Sequence, residues 1–279
     1  VHPDYDATRE TLLLNAHIDT VPPTASQEEA RKKIATDIGS AARSERLAAR
    51  GANDDGASVV CLLAVFATAV RPPYNIIYLA SAEEEISGRG GIESVLPLLP
   101  HIDAAIVGEP TGMQPAIAER GLMVIDAIAH GVSGHAARDE GDNAIIRAIR
   151  DIETLQQSEH LFPKVSSLLG AVKTSVTIIQ GGSKHNVIPD RCQFTIDVRT
   201  NELYSNEEAL AILRRSLASE LTARSTRLGS SRIDTSHPLV QRAIAAGGRP
   251  FGSATLSDQA LMPWPSLKMG PGESRRSHT

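Results

Sequence analysis

No long block of lysine and arginine occurs in the 279 residues, and the formal net charge is −5. Electrostatic capture of DNA, RNA or an anionic membrane surface needs such a footprint, so the sequence argues against all three and for a small-molecule partner. Cysteine is nearly absent. Cys61 and Cys192 are the only two, they lie far apart, and Cys61 sits in the apolar run Val59 to Val65, which argues against a disulfide framework and for a reducing cytoplasm. No stretch approaches the roughly 18 apolar residues of a transmembrane helix. Repeats and low-complexity tracts are also missing. The start, Val1-His2-Pro3-Asp4, has neither a signal-peptide pattern nor an initiator methionine, and Ser274 to Thr279 stops without a closing helix or strand. An excerpt of a longer protein is expected.

What is present is the composition of an ordinary globular protein, 41% hydrophobic and 22% charged, long enough for one or two domains, of which two are expected. Leu12 to Asn15, Asn75 to Ala80 and Ala104 to Val107 read as buried strands and Ser58 to Ala69 as a helix. Continuous apolar strands alternating with helices predict an α/β fold, a mostly parallel sheet with helices on both faces and functional loops at the strand carboxyl ends. From about Gly121 the texture changes to strands Met123 to Ala129, Thr174 to Ile179 and Gln193 to Val198, with helices Asn143 to Gln156 and Asn206 to Leu221. This α+β segment, residues 121–224, is expected to be inserted into a discontinuous catalytic domain of residues 1–120 and 225–279, because a helix after Thr235-Ser236-His237-Pro238 resumes the first texture.

Four clusters carry chemistry. His17-Ile18-Asp19 follows the first strand, placing an imidazole at a strand end with a carboxylate two residues on, as a metal-bound histidine needs to fix its tautomer. Alone it reads as a surface or core histidine. Gly51-Ala52-Asn53-Asp54-Asp55-Gly56 enters a helix with two acids; capping explains one of them and a carboxylate bridging two cations would explain the other. Glu83-Glu84-Glu85 follows the second strand, and three like charges are costly unless solvated or close to cations. Gly108-Glu109-Pro110-Thr111 ends the third. Together these nitrogen and oxygen donors suit a catalytic site for Zn²⁺, Co²⁺ or Mn²⁺, since structural zinc mostly uses cysteine. Two such ions about 3.5–4 Å apart clamp a water and a carbonyl, and a glutamate beside a ligand glutamate can serve as general base.

The motifs His17-Ile18-Asp19-Thr20-Val21-Pro22, Arg50 to Gly56, Glu84-Glu85, Gly108 to Thr111, Gly134-His135-Ala136-Ala137, Asn186-Val187-Ile188-Pro189-Asp190 and Ser277-His278-Thr279 stand in an order that resembles the M20 metallopeptidases, the group of acetylornithine deacetylase, succinyl-diaminopimelate desuccinylase, aminoacylase and carboxypeptidase G. The wording of Leu96 to Gly121 and Asp197 to Leu203 is most similar to the acetylornithine deacetylases of arginine biosynthesis, Bacteroidetes-type enzymes above all. The resemblance implies a zinc-peptidase catalytic domain with a ferredoxin-like dimerisation and lid domain. It implies metal ligands His17, Asp54 (bridging), Glu85, Glu109 and His278 for two divalent ions, Zn²⁺ or Co²⁺. Asp19 would orient His17, Glu84 would be the general base, His135 would reach across a homodimer to the oxyanion, and Asn186 and Arg199 would hold substrate. The implied reaction is hydrolysis of the amide of an N-acyl amino acid, N-acetyl- or N-succinyl-ornithine, with a dipeptidase or desuccinylase as the alternative within the family and a metal-free binding protein as the alternative outside it. One departure is evident: Thr24 to Ala49 is charged and alanine-rich where the family carries an aromatic-containing loop.

Overall fold

A computed structural model describes residues 1–24, 28, 49–138 and 140–277. Its strands are β1 (Thr11–His17), β2 (Asn75–Ser81), β3 (Ala104–Val107), β4 (Ala116–Glu119), β5 (Met123–His130), β6 (Gly134–His135), β7 (Lys173–Gly181), β8 (Val187–Ile188), β9 (Arg191–Arg199), β10 (Glu220–Ala223), β11 (Ser231–Arg232), β12 (Phe251–Ser253) and β13 (Ser266–Lys268). The longer helices are α1 (Ala57–Thr68), α2 (Ala144–Gln156), α3 (Asn206–Ser216) and α4 (Pro238–Ala245). The chain divides into two compact units, one made of Val1–Ile117, Ile233–Phe251 and Ser257–Thr279, the other of Ala118–Arg232 and Gly252–Leu256.

In the first unit β1 lies between β2 and β3, parallel to both, and β13 extends the sheet by pairing in parallel with β3. Lys268 of β13 faces Ala116 of the antiparallel β4. Six of the seven β1 residues are buried, the signature of a strand covered on both faces, which is why its apolar run shows no alternation. Leu13, Ile77, Ile102 and Ala105 form a core cluster on which Leu79, Leu99, Met262 and Trp264 pack. Before α1 the chain makes a wide turn, Ala52–Gly56, in which Asp54 and Asp55 leave helical geometry and the Asp54–Asp55 peptide is cis. Neither aspartate caps α1; Gly56 holds that position without a side-chain hydrogen bond.

The second unit is an antiparallel sheet in the order β10-β5-β9-β7. β5 alternates buried and half-buried residues, so one face is core and the other is not. Ile125, Phe194 and Ile196 from that face meet Ala148 and Leu155 of α2 and Leu213 of α3 in a single cluster. Asn143 caps α2 by accepting from the Ile145 N–H. Ser205 and Glu208 form a capping box at α3, satisfying two amides that the first turn leaves open. The helix expected over Asn206 to Leu221 stops at Ser216, and its last part is strand β10. The cause is distant in sequence: both oxygens of the buried Asp151 carboxylate accept from the Ala218 and Ser219 N–H groups, at 3.0 and 2.8 Å. That terminates α3 and turns the chain into the sheet.

Candidate metal centre

Strand ends deliver all but one residue of the cluster in the first unit. His17 is the last residue of β1, Glu84 and Glu85 follow β2, Glu109 follows β3, and Asp54 comes from the turn before α1. They gather at the carboxyl edge of the parallel strands, where open α/β sheets place their ligand sites. Close approach depends on Gly108, because a Cβ there would sit 2.5 Å from the Ser58 Cβ and 2.9 Å from Asp55 Oδ2.

His17 is 2% exposed. Its Nε2 lies 3.0 Å from Asp54 Oδ1, 3.9 Å from Glu84 Oε2 and 4.0 Å from Glu109 Oε1. His17, Asp54 and Glu85 form one group, and His17, Glu84 and Glu109 another, whose donor atoms lie within 4.8 Å of one another. Glu84 thus stands as close to a cation position as the carboxylates expected to be ligands. On its other side His17 presents Nδ1 to the Asp19 carbonyl at 3.0 Å and to the Asp19 carboxylate at 3.6 Å. That carboxylate accepts from the backbone N–H groups of Glu84 and Glu85, each at 3.2 Å. Asp19 therefore contacts both the histidine and the turn that carries the glutamate pair.

Two charged residues that the sequence motifs did not flag complete the environment. Asp258 is buried, and the Ser81 hydroxyl donates to its Oδ2 at 2.6 Å, with the Asn15 amide 2.9 Å from the same hydroxyl. Lys268, at the end of β13, is 2% exposed. The available signals were a charged residue closing an apolar strand and an aspartate after the helix-starting Ser257, and both are common at structural positions.

The protonation balance reports how many acids are confined together. Burial raises the Glu84 carboxyl to about 8, with Asp258 and Glu85 adding to the shift and His17 and Lys268 opposing it. Burial likewise lifts Asp55 to about 7 and Glu109 well above the usual carboxylate range. Burial by itself would lower His17, but the Asp54 hydrogen bond and the charges of Glu84, Glu109 and Asp55 outweigh it and raise the ring to about 10. Oxygen-rich, cysteine-free, buried and short of positive charge, the donor set fits divalent cations, whose charge would replace those protons.

The remaining expected residues lie in the second unit or outside the described chain. His135 on β6 pairs with Val187 on β8, next to Asn186, whose carbonyl accepts from the Ala136 N–H at 3.0 Å. One short ribbon thus brings His135 and Asn186 together. Arg199 ends β9 with its guanidinium on the Asp197 carboxylate, at 2.8 and 3.1 Å. His278 and most of the stretch between Thr24 and Ala49 fall outside the described residues.

Comparison with known proteins adds the family. A peptidase dimerisation domain, that of the M20 group, matches residues 117–224, and peptidase family M28 matches residues 2–105. An acetylornithine deacetylase of Myxococcus xanthus is 33% identical over 199 residues, 68% of this chain and 50% of that protein. A succinyl-diaminopimelate desuccinylase of Paracoccus denitrificans is 29% identical over 185 residues, 59% of this chain and 47% of that one. The chain thus matches about half the length of these curated relatives. Among solved structures, a Staphylococcus aureus tripeptidase superposes with a TM-score of 0.67 at 17% identity, covering 94% of this chain and 72% of that one. A dinuclear metal-binding M20 peptidase of Bacillus subtilis does so with 0.59 at 17% identity, also covering 94% and 72%. The dimerisation-domain match and the 33% identity to an acetylornithine deacetylase over 68% of the chain make this chain a member of the M20 family of metallopeptidases.

Proposed function

We propose that the protein hydrolyses the amide bond of an N-acyl amino acid, N-acetyl-L-ornithine or N-succinyl-L-ornithine, as a cytoplasmic homodimer holding two divalent ions per site, Zn²⁺ or Co²⁺. The observation that carries this reading is the buried convergence of His17 with Asp54, Glu84, Glu85 and Glu109 at one sheet edge. His17, Asp54, Glu85, Glu109 and His278 would hold the two ions, with Asp54 as the carboxylate common to both. Divalent ions bound there would supply Lewis acidity for the amide carbonyl and for the attacking water. Glu84 takes the proton of the attacking water and returns it to the amine nitrogen as the carbon–nitrogen bond breaks, giving a carboxylate and a free amine. Asp19 fixes His17 and the glutamate turn. His135 of one protomer donates to the oxyanion in the site of the other, while Asn186 and Arg199 bind substrate, Arg199 exchanging Asp197 for the substrate carboxylate. A desuccinylase is the second reading, favoured by the Paracoccus relative.

Metal analysis of the full-length protein, paired with a panel of N-acetylornithine, N-succinylornithine, N-succinyl-diaminopimelate and simple dipeptides, tests the reading. Two equivalents of metal and turnover of an acylated ornithine are expected. Metal with dipeptide turnover alone would move the assignment to a peptidase. No metal and no turnover would remove the enzyme assignment.

A further inference from the structure

Three consecutive glutamates follow β2, and the reading above employs two of them. Glu83 belongs to neither candidate ligand group. Its backbone is left-handed, φ 59°, a conformation that a side-chain-bearing residue rarely adopts unless its surroundings impose it. The surroundings here are a glycine loop. The Glu83 carboxylate accepts from the Gly90 N–H at 2.9 Å, and its carbonyl accepts from the Gly88 N–H at 2.8 Å. A Cβ on Gly88 would overlap the Glu83 carboxylate, one on Gly90 would lie 2.8 and 2.9 Å from its two oxygens, and one on Gly91 would overlap the Ala82 carbonyl. Gly88 and Gly90 thus leave a hollow that this side chain fills, and Gly91 leaves room for the Ala82 carbonyl just before it. On the opposite flank the Asp19 carboxylate grips the Glu84 and Glu85 N–H groups. The turn is held from two sides.

The geometry points to Glu83 as a positioning residue that clamps the Glu84–Glu85 turn through the glycine loop, so that Glu84 meets the reacting water and Glu85 a metal. This role rests on the hydrolase reading for its catalytic consequence and on the loop geometry for its structural one. The test uses the full-length protein with Glu83→Ala, Glu83→Gln, Glu83→Gly and Gly88→Ala. Hydrogen exchange of the 82–91 segment is read without metal; zinc affinity by chelator competition, kcat and KM are read with it. Loss of the acceptor in Glu83→Ala should speed exchange about tenfold. It should also weaken zinc roughly 10–100-fold, the usual range when a group supporting a ligand is removed, and lower kcat with KM little changed. Glu83→Gln retains an acceptor oxygen and should stay close to wild type. Glu83→Gly relieves the backbone yet should behave like Glu83→Ala, and Gly88→Ala should do the same by displacing an intact glutamate. Wild-type exchange and zinc affinity in Glu83→Ala would overturn the role, as would Glu83→Gln impaired as deeply as Glu83→Ala. If the wild type hydrolyses nothing while Glu83→Ala still loosens the segment, the clamp stands and the hydrolase reading falls.

Discussion

Glu84 and Glu85 are neighbours in sequence with different expected duties, and conservative substitution separates them. Glu84→Gln should leave metal content and fold intact while lowering turnover by about 10²–10⁴, the range for a positioned base; metal analysis beside kcat checks both halves, and near-normal turnover would reassign the base. The metal-free protein should also be pH-sensitive in a defined direction. The Glu84 and Asp55 carboxyls and the His17 ring all have raised folded-state values, so the folded state binds protons more tightly than the unfolded chain. Stability is therefore greatest at the acidic end of this window and is lost as pH climbs, through about 7 to 8 for the carboxyls and towards about 10 for His17. Denaturant midpoints between pH 6 and 10 should fall without metal, and added zinc should flatten the slope. At this scale the clustering of His17, Asp54, Glu84, Glu85 and Glu109 was legible, because the motifs name those residues and place most of them at strand ends. Asp258 and Lys268 were not, because an isolated buried charge becomes informative only once its neighbours are known.

β1 and β3 were easy to read because nearly all their residues are buried, and β2 because its first three are, so apolar content alone marks them. The same burial makes them sensitive. Leu13 is 0% exposed, and Leu13→Ala should cost about 2–5 kcal/mol, measurable as a shift of the chemical unfolding midpoint; a cost under 1 kcal/mol would mean that the core closes around the gap. Helix α3 shows the opposite case. Its apolar spacing continues past Ser216 through Leu217 and Leu221, so periodicity extends it, whereas the stop comes from Asp151 on α2. No local window contains that information.

For the whole molecule, assembly and activity should be coupled if His135 acts across a two-fold interface. Glu84→Gln mixed with His135→Ala should recover part of the activity that neither variant has alone, since some mixed dimers would carry one intact site. Absence of recovery, with subunit exchange shown separately by mass spectrometry, would confine His135 to its own chain or remove it from catalysis. The strand order of the first unit bears on how such a chain is made. β13 occupies a slot with β3 on one side and β4 on the other, yet it is synthesised only after the entire second unit, Ala118–Arg232. At roughly 5–20 residues per second, a ribosome leaves that slot vacant for on the order of ten seconds. During this interval the nascent chain carries two unpaired strand edges and a nest of acids still lacking Lys268, which makes these seconds the period in which chaperone capture would count most.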